Sequence, residues 1–250
     1  MRTIKAIEQD IILCETVEDI EALNLDQDTR KGVLKLVDRQ HKVIVKKALL
    51  REKFEAMQSY ERQTGVLQVA GIDEAGRGPI AGDVVAAAVI LNPGFELLGL
   101  NDSKQLSEVK RFEYREYIME NSVYGIGKCS AAEIDSFNIY EATKIAMQRA
   151  VFALSVTPEH LLIDAMEIES DVRQTKIIKG DANSISIAAA SVLAKTERDL
   201  DMLKMHELYP MYGFDQHKGY GTKDHIAALE MYGASPIHRK TFEPVASIIN

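Results

Sequence analysis

Two short apolar runs flank a glycine-rich turn, and a pair of acids stands where the first run ends. The order is Val66-Leu67-Gln68-Val69-Ala70-Gly71-Ile72, then Asp73-Glu74, then Gly76-Arg77-Gly78-Pro79-Ile80-Ala81-Gly82, then the apolar run from Asp83 to Leu91. Runs this short, bounded by Gly or Pro, predict buried strands. An acidic pair against the interior of a sheet costs desolvation unless a cation or hydrogen bonds compensate. The feature therefore asks for a sheet with charge concentrated at one strand end, although for this pair alone a turn-capping role is equally open. The glycine spacing is GxGxxxG and leads into a second strand, whereas a dinucleotide turn needs GxGxxG and a helix, so no nucleotide cofactor is expected.

The remaining pattern extends the sheet. A third strand is predicted at 123–129, and two short buried ones at 161–164 and 175–178. Helical patterns fall at about 107–121, 131–136 and 138–155, and a long Ala-rich helix at 184–208 is stopped by Pro210. Strands grouped early and then alternating with helices predict an α/β domain with a central mixed sheet flanked by helices. Residues 1–64 read differently, as a helical N-terminal extension with two or three helices within 1–62, which leaves 65–250 as the main domain.

Charge is segregated along the chain. Although the net charge is −8, the stretch from Arg30 to Lys53 carries nine Lys and Arg against Asp38 and Glu52. Both the solvated face of a packed helix and a surface that tracks a nucleic-acid backbone remain open for it. No run approaches the ~18 apolar residues of a membrane span, so a cytoplasmic protein without a membrane partner is expected. Cys14 and Cys129 stand far apart with no CxxC or Cys/His grouping, which leaves reduced thiols and no zinc site. No heptad is sustained, so a monomer is expected.

Other acids change the weight of Asp73-Glu74. Asp164 terminates the apolar run Leu161-Leu162-Ile163, the same arrangement about 90 residues later, and strand ends of one sheet converge. Asp181, in Lys179-Gly180-Asp181, taken alone reads as a first-turn helix acid. Together Asp73, Glu74, Asp164 and Asp181 could supply the oxygen ligands that Mg²⁺ or Mn²⁺ prefers. Asp199 is a competing fourth carboxylate, but its place in a helix beside Glu197 and Arg198 predicts an exposed i,i+4 ion pair. The six histidines form no HxH or HxxxH pairing, and His238 is expected to be structural or close to a phosphate.

The string from Gly71 to Gly82 resembles the opening motif of the ribonuclease HII family, a type 2 ribonuclease H. Further segments follow in that family's order: Asp102-Ser103-Lys104, Leu162-Ile163-Asp164-Ala165, Lys179-Gly180-Asp181, the stretch from Ala188 to Asp199, Gly219-Tyr220-Gly221-Thr222 and His238-Arg239-Lys240-Thr241-Phe242. The resemblance spans roughly 66–245. It implies an RNase H-like fold and an endonuclease that hydrolyses the RNA strand of RNA–DNA hybrids and cuts 5′ of ribonucleotides embedded in duplex DNA. It also implies that Asp73, Glu74, Asp164 and Asp181 are catalytic and bind two divalent ions, with 5′-phosphate and 3′-hydroxyl products.

By the same resemblance the backbone of Gly76, Arg77 and Gly78 contacts a ribose 2′-hydroxyl, Tyr220 stacks on the following sugar, and Ser103 and Lys104 contact phosphate. Arg77 between the glycines and a helical N-terminus favour type HII over the HIII relatives, which carry a β-rich N-terminal domain. The alternatives are an HIII-like or other nuclease of this fold, and a noncatalytic hybrid-binding protein.

Overall fold

A computed structural model describes residues 2–249 of the chain, which divides into two compact units, Met1–Ala56 and Met57–Asn250. In the first, α1 (Ile4–Ile12) starts at Thr3, whose hydroxyl accepts from Ala6 N, and α2 (Val17–Ala22) starts at a reciprocal Thr16/Asp19 capping box. α3 (Lys31–Met57) follows, and Val33 and Ile44 on one of its faces are buried together with Ile7, Ile11 and Ile20.

The second unit opens with α4 (Ser59–Thr64), which ends at Gly65 in the left-handed region. Counting α4, residues 2–64 hold four helices rather than the two or three expected, because six-residue helices such as α2 and α4 are too short for helical periodicity to register. Glu61 ties α4 to the rest of this unit: its Oε1 accepts from the Ser184 and Ser186 hydroxyls and from Ser186 N at 2.6–3.0 Å.

β1 (Val69–Ala75) and β2 (Val84–Leu91) are antiparallel, α5 (Glu108–Glu120) follows, and β3 (Ser122–Cys129) lies antiparallel to β2. After α6 (Ala131–Phe137) and α7 (Ile139–Phe152), β4 (His160–Asp164) runs parallel to β1 and β5 (Arg173–Ile177) parallel to β4. The sheet order is β3-β2-β1-β4-β5, a mixed sheet as expected. α8 (Gly180–Asn183), α9 (Ile185–Leu208), α10 (Phe214–His217), α11 (Lys223–Tyr232) and α12 (Val245–Ile249) complete the chain.

Alternation along the strands sorts the core. Ala70, Ile72, Leu161 and Ile163 pack with Ala146, Met147 and Ala150 of α7, whereas Val69 and Leu162 pack with Ile187 of α9. β1 is as long as the apolar run but starts and ends three residues later, at Val69 and Ala75. It carries Asp73 and Glu74 inside the strand, because β2 continues opposite them through Ala87 and Ala86, while the ladder with β4 runs only to Ile72↔Ile163. Among the described residues no helix is long and apolar enough to cross a membrane.

Candidate active site

Parallel pairing aligns Ile72 with Ile163, so the next residues, Asp73 and Asp164, stand side by side on adjacent strands. Asp73 is 5% exposed, and burial, Glu74 and Asp164 push its carboxyl well above the usual range. Burial also raises Glu74, against the pull of Arg77, whose guanidinium lies 3.3 Å from Glu74 Oε1. Asp164 Oδ1 accepts from Gly180 N at 2.6 Å, which fastens the end of β4 to α8. One residue on, Asp181 sits in the first turn of α8, 8% exposed, and is raised by burial, Asp102 and Asp164. Burial disfavours the Lys104 ammonium, yet Asp102, Asp73, Asp181 and Asp164 together hold its pKa above the ordinary value.

The four expected acids thus form one electrostatically coupled group, joined by Asp102 and Lys104. Among the described residues no three such side chains close into a ready metal cage. The residues nevertheless fit hard divalent cations. Glu74 Oε2 is buried without a hydrogen-bond partner, Asp73 is buried amid like charge, and the donors are carboxylate oxygens. A divalent ion would relieve both the orphaned oxygen and the repulsion.

The glycine turn is shaped from behind by two buried arginines. Arg239, fully buried, donates to the carbonyls of Arg77, Pro79 and Gly82 at 2.7–3.0 Å and to that of Gly76 at 2.5 Å. Burial and neighbouring Arg198 bring its pKa down to about 9. Arg198 of α9 donates to Asp83 O and Ala81 O at 3.2 Å and to Lys218 O at 2.9 Å, bridging the turn and the segment that carries Tyr220. Gly76 has φ +94°, and a Cβ there would stand 2.1 Å from Arg198 Nε, so only glycine lets the turn close over this guanidinium. With their carbonyls drawn inward, the turn and Tyr220 border one cleft of about 510 Å³ with Glu74, Ser103 and Lys104.

Tyr220 is 49% exposed, and a Cβ on Gly78 would lie 3.8 Å from its ring. A chain of neutral histidines holds it. His225 Nδ1 lies 2.8 Å from Tyr220 O and so donates, which makes its Nε2 the acceptor from His238 Nε2 at 3.0 Å. His238 Nδ1 in turn accepts from Ser235 N at 3.0 Å. Burial brings both imidazoles down to about 4.

Ser103 is buried, its hydroxyl accepting from Ser191 Oγ at 2.9 Å, and Ser191 also pulls the Asp73 carboxyl downward against its burial. Asp199 corrects an expectation: its i,i+4 pair with Lys195 forms at 2.5 Å but is buried, with Asp199 2% exposed. Asp102, Arg198, Arg239 and His225 were not singled out in advance. Arg198 shares the spacing of buried Ile187, Ser191 and Ala194, a signal legible in the sequence. Arg239, in a loop, has no periodicity to mark it, although it stands in the family-like segment His238 to Phe242.

A mixed five-stranded sheet with acids on its adjacent central strands defines the class of RNase H-like nucleases. The comparisons narrow this. The ribonuclease HII family model matches residues 70–245, and the model of the ribonuclease HII N-terminal domain matches 3–65. A ribonuclease HII of Bacillus licheniformis is 51% identical over 97% of both chains, and that of Bacillus subtilis is 49% identical over 98% of both. The crystal structure of ribonuclease H2 from Pyrococcus horikoshii superposes with a TM-score of 0.63 at 26% identity, covering 72% of this chain and 96% of that one. The chain belongs to the ribonuclease HII family, divalent-metal-dependent enzymes that hydrolyse the RNA of RNA–DNA hybrids.

Proposed function

We propose that this enzyme cuts RNA–DNA hybrids and also incises duplex DNA on the 5′ side of an embedded ribonucleotide, leaving a 5′-phosphate and a 3′-hydroxyl. The observation that carries the reading is the coupled group Asp73, Glu74, Asp164 and Asp181 beside the glycine turn, with Glu74 Oε2 buried and unpartnered. Residues 65–250 carry this machinery. Two ions, Mg²⁺ or Mn²⁺, held by these four acids would activate water and stabilise charge on the departing 3′-oxygen.

The remaining steps belong to the chain's own groups. Asp164, fixed by Gly180 N, keeps its carboxylate aimed beside Asp73, and the Arg77 pair orients Glu74. The Gly76–Gly78 backbone, which borders the cleft, reads the 2′-hydroxyl, with Arg239 and Arg198 holding the turn by its carbonyls. Lys104 and Ser103 meet phosphate, and Tyr220 stacks on the sugar that follows the ribonucleotide. The enzyme acts as a cytoplasmic monomer on nucleic acid, without a membrane or nucleotide cofactor.

The test is cleavage of a labelled RNA–DNA hybrid with Mg²⁺ or Mn²⁺ and with EDTA. Products whose 3′ ends a polymerase extends are expected, with no cutting in EDTA or by Asp164→Asn. Cleavage that persists in EDTA, or full activity in Asp164→Asn, overturns the assignment.

A further inference from the structure

The first unit presents a surface that the catalytic residues do not use. On α3, Lys31, Lys35, Arg39, Lys42, Lys46 and Lys53 are all exposed. At 100° per residue their spacings of four, four, three, four and seven place them within about 80° of arc, a single stripe roughly 33 Å long. Val33 and Ile44, which are buried, lie on the opposite side of the helix. α3 carries eight Lys and Arg against three Asp and Glu, a surplus of five in a chain whose net charge is −8. Solubility does not account for it, since a solvated helix gains from alternating signs at i,i+4. Here Lys31–Lys35, Lys35–Arg39 and Lys42–Lys46 are like-charged neighbours, an arrangement that destabilises the helix. Among the described residues only Lys42 of the six has a carboxylate partner, Asp38 at 2.7 Å.

We infer that this stripe is a second nucleic-acid contact, which binds the phosphate backbone of the RNA–DNA hybrid independently of its sequence. The inference rests on the hybrid-cleaving reading above. A line of cations that repel one another in the free protein matches a polyanion of regular charge spacing, and binding would release counterions from the duplex.

The test uses the full chain in EDTA, with hybrid binding followed by fluorescence anisotropy from 50 to 200 mM salt. Replacing Lys35, Arg39, Lys42 and Lys46 together by Gln is expected to weaken binding at least about tenfold at 50 mM salt. It should also reduce the slope of log K against log salt by up to about 3–4. The charge-conserving set K35R, R39K, K42R and K46R is expected to keep both affinity and slope. Because repulsion is relieved, the Gln variant should melt no lower than the parent, a readout that a merely structural role would move the other way. Unchanged affinity and slope in the Gln variant overturn the inference. So does loss of binding to phosphatidylserine vesicles with hybrid affinity intact, which assigns the stripe to a lipid surface. Failure of the parent to cut a hybrid strikes instead at the reading beneath it.

Discussion

Asp73 shows how a buried carboxylate can reverse the usual dependence of stability on pH. Its folded pKa lies above the unfolded value, so the native state binds the proton more tightly. In the metal-free protein its contribution therefore grows as pH falls through the folded pKa, and at neutral pH its charge is a liability. Asp73→Asn is expected to abolish cleavage while raising the melting temperature in EDTA, by roughly 2–4 °C for each kcal/mol of repulsion removed. A scan that finds the variant less stable contradicts this account of the site. Tyr220→Ala is expected to lower kcat/KM by about 5- to 150-fold, the ~1–3 kcal/mol of one stacking contact, with Tyr220→Phe near the parent. Single residues were where the sequence was most informative. Acids at the ends of apolar runs betray themselves because burial is costly, whereas the role of Arg239 depends on carbonyls 157–163 positions away, which no local pattern encodes.

At the level of elements, the site depends on how loops are held against α9. Arg239→Ala leaves the carbonyls of Gly76, Arg77, Pro79 and Gly82 unpaired behind the turn. Several unsatisfied buried acceptors at ~1–3 kcal/mol each predict a loss of at least ~3 kcal/mol in urea unfolding, together with a fall in activity. The His225–His238 chain supplies a separate signature. Both folded pKa values are near 4, below the free imidazole value of about 6.5, so the unfolded chain takes up protons first as pH falls. Its contribution is complete above about pH 6.5 and is lost on the way down to 4. Melting curves recorded across that window should show this limb in the parent and a weaker one in His238→Gln. The strands and the mixed sheet were legible as apolar runs, but the order of the strands and the extent of β1 through Asp73 and Glu74 were not, because β2 supplies the pairing that keeps two acids in a strand.

For the whole molecule, the division at Ala56 and Met57 separates a helical unit with its own small core from the unit that holds every proposed catalytic group. A fragment of residues 57–250 is expected to fold and to cut hybrid, with a raised KM that reflects the missing basic stripe. A fragment that fails to fold, measured by circular dichroism, contradicts this separation. The helical nature of the N-terminal residues was plain from periodicity, but the alignment of six of the eight cations of α3 in one stripe emerged only once α3 proved to be one uninterrupted helix of 27 residues.

The central claim, that the coupled acids and the glycine turn read and cut at a 2′-hydroxyl, meets its most direct test in one assay. A labelled DNA duplex containing a single ribonucleotide is incubated with Mg²⁺ or Mn²⁺ beside the all-DNA duplex. The account predicts a metal-dependent cut on the 5′ side of the ribonucleotide and an intact control. Cutting of the all-DNA duplex at a comparable rate, or no cut at the ribonucleotide, contradicts it.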